Sequence, residues 1–180
     1  MYLQEAIKGH YIDLKSVSED DAEFTLAIRR DEEFVRYLPK LDITVEQQKE
    51  WIKSQQKKPD DYFWVVLDKK GQYIGTIGVF DIFADPPKAG RLALKGNALQ
   101  NIEANYLAYR YGLYDLHLEK LWGFIYAENS RAIRFAELFG GIMGEEYELD
   151  GRVVRNVIFK QPEFGEAEKN ARKMLYRERN

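Results

Sequence analysis

The stretch that decides the fold runs from Leu118 to Gly141 and reads LEKLWGFIYAENSRAIRFAELFGG. Its first part, Leu121 to Ala127, is a short apolar, aromatic-rich run that predicts a buried strand. The chain then passes through Glu128-Asn129-Ser130 into Arg131–Phe139, which has helical spacing and stops at Gly140-Gly141. Asn129 or Ser130 is a natural N-cap of this helix. Such a junction can hold polar, amide-rich or anionic ligands, although ordinary packing explains the same residues equally well.

The same stretch resembles a segment of the GNAT superfamily of N-acyltransferases. In that family a strand ends in Asn, and Arg-Ala-Ile-Arg opens the next helix. The residues that match this pattern are Asn129, Arg131, Ala132, Ile133, Arg134 and the closing Gly140. The family's Asn and helix start lie beside the pantetheine arm of acetyl-coenzyme A (acetyl-CoA). The resemblance therefore implies that acetyl-CoA is the cosubstrate and that Asn129, Arg131, Ala132 and Arg134 help to bind it.

The composition is that of a globular chain with no evident preference for nucleic acid or membranes. Its 180 residues suit one domain, and 45% of them are hydrophobic. A formal net charge of −3 gives no electrostatic case for a nucleic-acid or membrane-surface binder. The absence of cysteine excludes disulfides and thiolate zinc sites, and neither His10 nor His117 has metal-ligand spacing. With no signal peptide or membrane-spanning run in the sequence, we expect a cytoplasmic protein.

The order of the remaining elements predicts an α/β fold with a central sheet covered by helices. Further strands are predicted at residues 11–14, 63–67, 73–83, 90–94, 147–149 and 153–159. Further helices are predicted from Ser18 to about Arg30, from Thr44 to Pro59 and over 102–116, with a short helix or turn at 31–38.

This order agrees with the GNAT acyl-CoA N-acyltransferase fold, whose central sheet is mixed and mostly antiparallel. The resemblance spans about Tyr11 to Phe159. The spacing of Ala167, Ala171, Met174 and Leu175 predicts an extra C-terminal helix, packed on the body or on a partner. We therefore expect residues 1–162 to form the acetyltransferase domain and residues 163–180 to form a helical extension.

The loop expected to hold the cofactor pyrophosphate departs from the family's sequence. In the family it reads Gln or Arg, two residues, Gly, one residue, then Gly or Ala, which lets backbone N–H groups approach the phosphates. Here it falls on Lys95-Gly96-Asn97-Ala98-Leu99-Gln100-Asn101, with the helix expected from Ile102. Leu99 and Asn101 replace the glycines. Either Asn101 takes a glycine-like conformation, or the loop is reshaped so that Gly96 and Ala98 give the close approach. Lys95 could add a positive charge near phosphate or be merely solvated.

The resemblance implies a cofactor site that joins this loop to the preceding strand. Its residues are Leu92, Ala93, Leu94, Gly96, Asn97, Ala98, Leu99, Gln100, Asn101 and Ile102, together with those at the second helix. An amine that attacks a thioester needs a base, an acid and donors for the charge that develops on oxygen. Backbone N–H groups of Leu92–Leu94 are our candidates for the donors.

The usual acid and base of the family are missing. The position of the family's tyrosine, seven residues after the Asn, is Ala136, and the position of its carboxylate is Lys88. Candidate catalytic substitutes are Tyr126 and Glu128, followed by Asp81 and Asp85. A core role explains Tyr126 as well, and a solvated loop charge explains Glu128.

The favoured function is transfer of acetyl from acetyl-CoA to a primary amine of a small molecule. The segment Asp31–Trp51 looks like those of ribosomal-protein, polyamine and nucleotide-amino-sugar N-acetyltransferases, with a slight preference for a nucleotide-linked amino sugar. Aminoglycosides also stay open, and so does a homodimer. Residues that could line an acceptor pocket are Arg29, Arg30, Trp51, Tyr62 and Trp64. A different class, a non-catalytic module that binds CoA or a partner protein, is favoured by the missing tyrosine and glycines.

Overall fold

The computed structural model describes residues 1–38 and 41–176, which form one eight-stranded sheet and five α-helices. The strands are β1 (Ile7–Lys8), β2 (Ile12–Ser16), β3 (Asp61–Asp68), β4 (Tyr73–Phe80), β5 (Lys88–Leu94), β6 (Lys120–Tyr126), β7 (Ile142–Leu149) and β8 (Arg152–Lys160). The helices are α1 (Ala22–Arg30), α2 (Val45–Lys57), α3 (Ala98–Arg110), α4 (Ser130–Leu138) and α5 (Gln161–Leu175). Short 3-10 turns cover Glu19–Asp21 and Val35–Tyr37, and a π-helical turn, Tyr111–Asp115, follows α3.

The strands lie in the order β1-β2-β3-β4-β5-β6-β8-β7. Neighbouring strands are antiparallel except for β5 and β6, which are parallel. The predicted mixed, mostly antiparallel sheet is therefore confirmed. Within the described residues, no helix is long and apolar enough to cross a membrane.

Helices cover both faces of the sheet because successive side chains of a strand point to opposite faces. In β3, Trp64 and Val66 join the larger core, whereas Phe63 and Val65 join a smaller one with Ile52 of α2. The larger core includes buried side chains from α3 and α5. The sheet is thus buried on both sides at β3, which explains why that strand is a continuous apolar run.

A buried carboxylate ties α3 to the beginning of β2. Glu103 is fully buried, and its carboxylate accepts hydrogen bonds from the backbone N–H groups of His10 at 2.7 Å, Tyr11 at 2.6 Å and Ile12 at 2.9 Å. The Tyr176 hydroxyl donates a fourth, at 3.2 Å. Because its oxygens are satisfied by four donors, the side chain can be buried as a structural anchor.

A second buried carboxylate anchors the start of α1. The Asp21 side chain is fully buried and accepts from Lys15 Nζ at 2.8 Å, the Tyr73 hydroxyl at 2.6 Å and the Ser18 N–H at 2.7 Å. Burial by itself raises the pKa of Asp21, but hydrogen bonds from these three residues outweigh it, so the pKa lies below its usual value.

The predicted start of α3 at Ile102 is wrong, because the helix begins four residues earlier, at Ala98. Asn97 and Gln100 form a capping box: Asn97 Oδ1 accepts from the Gln100 N–H at 3.1 Å, and Gln100 Oε1 accepts from the Asn97 N–H at 2.9 Å. Asn101 lies inside the helix and is not among the residues with positive φ, so the first of the two alternatives for this loop, a glycine-like Asn101, is wrong. The connection before α3 is only Lys95–Asn97.

Other boundaries differ by less, and the helix at the C-terminal end is confirmed. β4 ends at Phe80 instead of residue 83, and β7 begins at Ile142 instead of residue 147. The short strand β1 was not predicted. α5 packs on the body: its Phe164, Ala171 and Leu175 are buried, and the Tyr106 hydroxyl of α3 donates to its Glu168 at 3.0 Å. Residues 177–180 of the predicted extension lie outside the described part of the chain.

Candidate active site

The two parallel strands separate and leave a cleft between them. β5 and β6 pair only at Lys88 and Trp122, and a cavity of about 840 Å³ opens where they part. Gly123 lies close to the last contact, where a Cβ atom would stand 3.0 Å from the Ala89 carbonyl oxygen. A side chain at this position would crowd the facing strand, so glycine favours the close approach of the strands there. The sheet therefore has an internal edge that no neighbouring strand covers.

That edge offers backbone groups of β5 to the cleft. The N–H of Lys95 donates to the Ile74 carbonyl of β4 at 2.8 Å. Because successive N–H groups of an extended strand point to opposite sides, the Leu94 N–H points away from β4 and into the cleft. The strand is also distorted at Arg91, which has a φ of +52°, and the register of β4 against β5 shifts nearby. Positive φ is unfavourable for arginine, and such strain is often found at functional sites.

Two capped helix N-termini follow the carboxyl ends of β5 and β6, one on each side of the open end of the cleft. In α3 the Gln100 N–H is taken by Asn97, while the first N–H groups, of Ala98 and Leu99, have no intrahelical acceptor. In α4 the Asn129 side chain is the N-cap, and its Oδ1 accepts from the Ala132 N–H at 3.1 Å. The prediction that Asn129 or Ser130 caps this helix is confirmed, with Asn129 in the role.

Position 96 favours glycine because side chains from the first turns of α3, the helix that follows it, pack against it. A Cβ atom at this position would lie 2.8 Å from Asn101 Oδ1 and 2.9 Å from Gln100 Cβ. The Asn101 side chain donates to the Gly96 carbonyl at 2.9 Å, and its Oδ1 is buried with no hydrogen-bond partner among the described residues. A buried acceptor of this kind beside the cleft suits a ligand that carries an N–H group.

The structure brings about half of the predicted cofactor residues to the wall of the cleft. Those that line it are Leu92, Ala93, Leu94, Asn101, Asn129, Arg131 and Ala132. The others do not line this cavity: Gly96, Asn97, Ala98, Leu99, Gln100 and Ile102 lie in or beside the first turns of α3, and Arg134 is exposed on α4. Lys95 is exposed and forms an ion pair with Asp31.

Tyr126 and Glu128 both line the cleft, and one arginine contacts both. The Arg152 guanidinium carbon lies 3.6 Å from the centre of the Tyr126 ring, and Arg152 Nη2 donates to Glu128 Oε1 at 2.5 Å. Ala136, at the usual tyrosine position, also lines the cleft but has no hydroxyl group. The contact with Arg152 holds the two candidate side chains near each other.

Asp81 and Asp85 do not line the cleft. Asp81 binds Lys88 at 2.7 Å, and the exposed Asp85 binds Lys120 at 2.7 Å. Of the four predicted catalytic candidates, Tyr126 and Glu128 thus line the cleft and the two aspartates do not.

The sequence reasoning missed an aromatic wall of the cleft. The aromatic residues that line it, apart from Tyr126, are Phe34, Tyr37, Tyr109, Trp122, Phe124, Phe135, Tyr147, Phe159 and Phe80. The alternation of Trp122, Phe124 and Tyr126 places these side chains on one face of β6, which the sequence pattern could have indicated. Tyr109 is buried, and burial raises the pKa of its hydroxyl far above the usual value, so it stays protonated.

A second cavity, of about 390 Å³, lies under α1 and α2 and meets the cleft. Four residues line both cavities: Arg29, Leu38, Arg91 and Ala93. The predicted acceptor residues Arg29 and Trp51 line this second cavity. The other three do not, since Tyr62 and Trp64 are core residues and the exposed Arg30 donates to the Ile43 carbonyl at 2.6 Å.

Arg91 is held firmly at the junction of the two cavities. Its guanidinium forms two bonds with the buried Asp61 carboxylate, at 2.5 and 2.9 Å, and lies 4.1 Å from the centre of the Phe80 ring. Burial, and to a smaller extent the charge of Arg91, lower the pKa of Arg29. Both guanidinium-bearing residues, Arg29 and Arg91, line the two cavities where they join.

The segment before residue 39 is fastened over the cleft by charged contacts. Glu33 binds Arg131 of α4 at 2.8 Å, and Asp31 binds Lys95 before α3. Arg152 donates to the Arg36 carbonyl. No group of three or more potential metal ligands was found in the described ranges 1–38 and 41–176.

The class of the protein follows from a sheet that opens between its two parallel strands, with a capped helix after each of these strands. The family model "Acetyltransferase (GNAT) domain" matches residues 12–141, more than half of the chain. The chain therefore belongs to the GNAT acetyltransferase family and is an acyltransferase. A search of curated proteins finds no match for it.

Solved structures agree with this assignment. A GCN5-related N-acetyltransferase from Brucella melitensis has a TM-score of 0.77 at 18% identity, with 96% of this chain and 86% of that one covered. FdhC, described as a nucleotide-linked sugar GNAT, gives 0.74 at 21% identity, covering 97% and 98%. Spermidine N-acetyltransferase from Vibrio cholerae, in complex with CoA and spermine, gives 0.77 at 15% identity, covering 87% and 99%. At these identities the structures show the fold and do not identify the acceptor.

Proposed function

We propose that the protein transfers the acetyl group of acetyl-CoA to a primary amine of a small molecule. The observation that carries this proposal is the cleft where β5 and β6 part, between the capped starts of α3 and α4. Acetyl-CoA supplies an acyl thioester, and its pantetheine arm contains amide groups that suit the open edge of a strand.

The residues present fit that cofactor. The backbone of Leu92–Leu94 would pair with the amides of the pantetheine arm, and the buried Asn101 Oδ1 offers one more acceptor. The N–H groups of Ala98 and Leu99 would bind the pyrophosphate at the positive end of α3. Asn129 and Ala132 form the opposite wall, and the exposed Arg131 adds a positive charge.

In the proposed reaction the chain supplies proton transfer and charge stabilisation. Glu128, directly or through a water molecule, accepts the proton of the attacking amine as the C–N bond forms. The Leu94 N–H binds the carbonyl oxygen as negative charge develops there. Tyr126 donates its hydroxyl proton to the sulfur as the C–S bond breaks. The leaving group then departs as a neutral thiol.

An amino sugar carried on a nucleotide is our leading acceptor. The support is the aromatic wall of Phe34, Tyr37, Trp122 and Phe124, which can stack on a sugar or base, and the likeness of the fold to a nucleotide-linked sugar GNAT. A polyamine is the second candidate, supported by the likeness to spermidine N-acetyltransferases. A cytoplasmic location, a catalytic domain of residues 1–162 with a helical extension at 163–180, and a homodimer stay predictions.

The test is a thiol-release assay with acetyl-CoA and a panel of primary amines. Because the chain contains no cysteine, every thiol that the reagent detects comes from the coenzyme. We expect release that depends on the amine. Tight CoA binding without release across nucleotide-linked amino sugars, polyamines, aminoglycosides and an N-terminal ribosomal peptide would instead support a non-catalytic module.

Two variants test the catalytic roles. Tyr126→Phe removes one hydroxyl and should lower kcat by about 100-fold, the usual scale of acid–base catalysis, while Glu128→Gln should lower it by about 10-fold or more. Tyr11→Phe is the matched control, because the Tyr11 hydroxyl donates to the Leu175 carbonyl of α5 and Tyr11 does not line the cleft. If both active-site variants keep the kcat of the control, protons move through water or the acceptor itself.

A further inference from the structure

We infer that the second cavity is a subsite for an anionic group of the acceptor, bound by Arg29 and Arg91. This inference rests on the proposed function, since it concerns the amine that enters the same cleft. It makes phosphate, or a group of similar charge, a determinant of which amines the enzyme accepts.

The position of the second cavity fits an extension of the acceptor. It opens into the cleft at Arg29, Leu38, Arg91 and Ala93, and Ala93 immediately precedes the proposed oxyanion donor Leu94. A molecule whose amine lies at the end of the thioester arm would therefore reach the second cavity with its distal part. With a volume of about 390 Å³, this cavity is within the range that small ligands occupy.

The polar groups that line the second cavity favour an anion over a cation, although Asp61 balances the charge of Arg91 itself. Arg29 and Arg91 line it, and no carboxylate is among the described residues that do so. The polar lining is otherwise neutral and consists of Thr25, Gln47, Gln48, Thr76 and the Trp51 indole. The hydroxyls of Thr25 and Thr76 donate to the backbone carbonyls of Ala22 and Arg91, so the donors for phosphate oxygens would be the guanidinium groups and the side-chain amides of Gln47 and Gln48. Asp61 holds Arg91 in place from outside this lining, with a carboxylate that is only 4% exposed.

The phosphates of the cofactor do not account for these arginines. The second cavity is lined by residues of α1, α2, the connection between them and strands β3 to β5, and by none of the described residues of α3 or α4. The proposed pyrophosphate position lies at the start of α3, outside this lining. An anion in the second cavity would thus be a different group from those of acetyl-CoA.

A polycationic acceptor would meet unfavourable charge here. Its distal ammonium group would enter a cavity whose lining includes two guanidinium groups and, among the described residues, no carboxylate. The two acidic residues that line the cleft, Glu33 and Glu128, are each paired with an arginine. The site therefore discriminates against a polyamine by repulsion as well as in favour of an anion by attraction.

The experiment compares pairs of amines that differ by one phosphate group. We would measure kcat/KM for glucosamine against glucosamine 6-phosphate and for ethanolamine against phosphoethanolamine, with spermidine as the cationic reference. Arg29→Gln should reduce, at least 10-fold, the ratio of kcat/KM for the preferred phosphorylated amine to kcat/KM for its unphosphorylated partner. Arg29→Lys should retain part of the preference. Lys49→Gln, an exposed charge removal on α2 outside the cavity, is the control.

A binding measurement keeps the inference testable without turnover. Calorimetry with inorganic pyrophosphate, on protein saturated with CoA so that the cofactor site is filled, should detect binding that Arg29→Gln abolishes and Lys49→Gln preserves. Pyrophosphate binding that is absent, or equal in both variants, would overturn the inference, as would a higher kcat/KM for spermidine. Absence of thiol release with every amine would instead count against the proposed function, and the calorimetry would still decide on the anion subsite.

Discussion

The ion pair of Asp61 and Arg91 offers the sharpest test of how the acceptor side of the site is held together. Asp61 is 4% exposed at its side chain and Arg91 19%, and two hydrogen bonds join them. Asp61 Oδ1 also accepts from Gln55 Nε2 at 3.0 Å. Removing one partner of such a pair leaves the other buried without compensation, which typically costs about 3–5 kcal/mol. Because Arg91 keeps some contact with solvent, we expect the lower end of that range, about 3 kcal/mol, for each single variant.

A double-mutant cycle measures the coupling. Asp61→Asn keeps the shape of the side chain, and Arg91→Met keeps an apolar stem between the Phe80 and Trp51 rings that now contact the guanidinium. Replacing both charges should cost little more than replacing one, so we expect the double variant to lose about 3 kcal/mol and the coupling energy to be about 3 kcal/mol.

The free energies come from urea unfolding monitored by circular dichroism, with equal m-values required of all four proteins. The exposed pair of Glu166 and Lys169 is the control, and its cycle should show no measurable coupling. If the losses of Asp61→Asn and Arg91→Met simply add, within about 0.5 kcal/mol, the pair is not a coupled unit and our account of Arg91 fails.

Two further predictions concern the buried carboxylates. Glu103→Gln places an amide N–H against backbone N–H donors, so it should lower the free energy of unfolding by about 3 kcal/mol. The control, Glu137→Gln on the exposed face of α4, should change the free energy of unfolding little. Equal urea midpoints for the two variants would contradict this prediction. Asp21→Asn should destabilise the protein at pH 7. Since the folded pKa of Asp21 lies below its unfolded value, its contribution is complete above about pH 4 and is lost as the pH falls through the folded pKa. Unfolding curves at pH 7 and pH 3 should therefore show a difference in stability between wild type and variant that narrows on acidification; a constant difference would refute the assignment.

Local sequence signals determined much of the fold. The apolar run at Leu121, the cap at Asn129 and the Gly140-Gly141 stop are short-range features, and they placed β6 and α4 within a residue or two. The start of α3 is also marked by a local signal, the Asn97–Gln100 capping box. The predicted start at Ile102 is wrong because it follows the family's glycine spacing instead of this capping box. The error was one of interpretation, and the information was in the sequence.

The sequence by itself also indicated the family and the positions of Asn129 and Arg131 at the start of α4. Both inferences depend on one continuous motif, Asn129 to Arg134, whose residues are neighbours in the chain. Only the tertiary structure decided that Arg29 of α1 and Arg91 of β5 meet at the junction of two cavities, and that Asp61 binds Arg91. These residues are 30 or more positions apart, and their approach depends on strand register, on the distortion at Arg91 and on how α1 and α2 pack over the sheet. No periodicity within one segment records such a contact, since it is set by the packing of several segments at once.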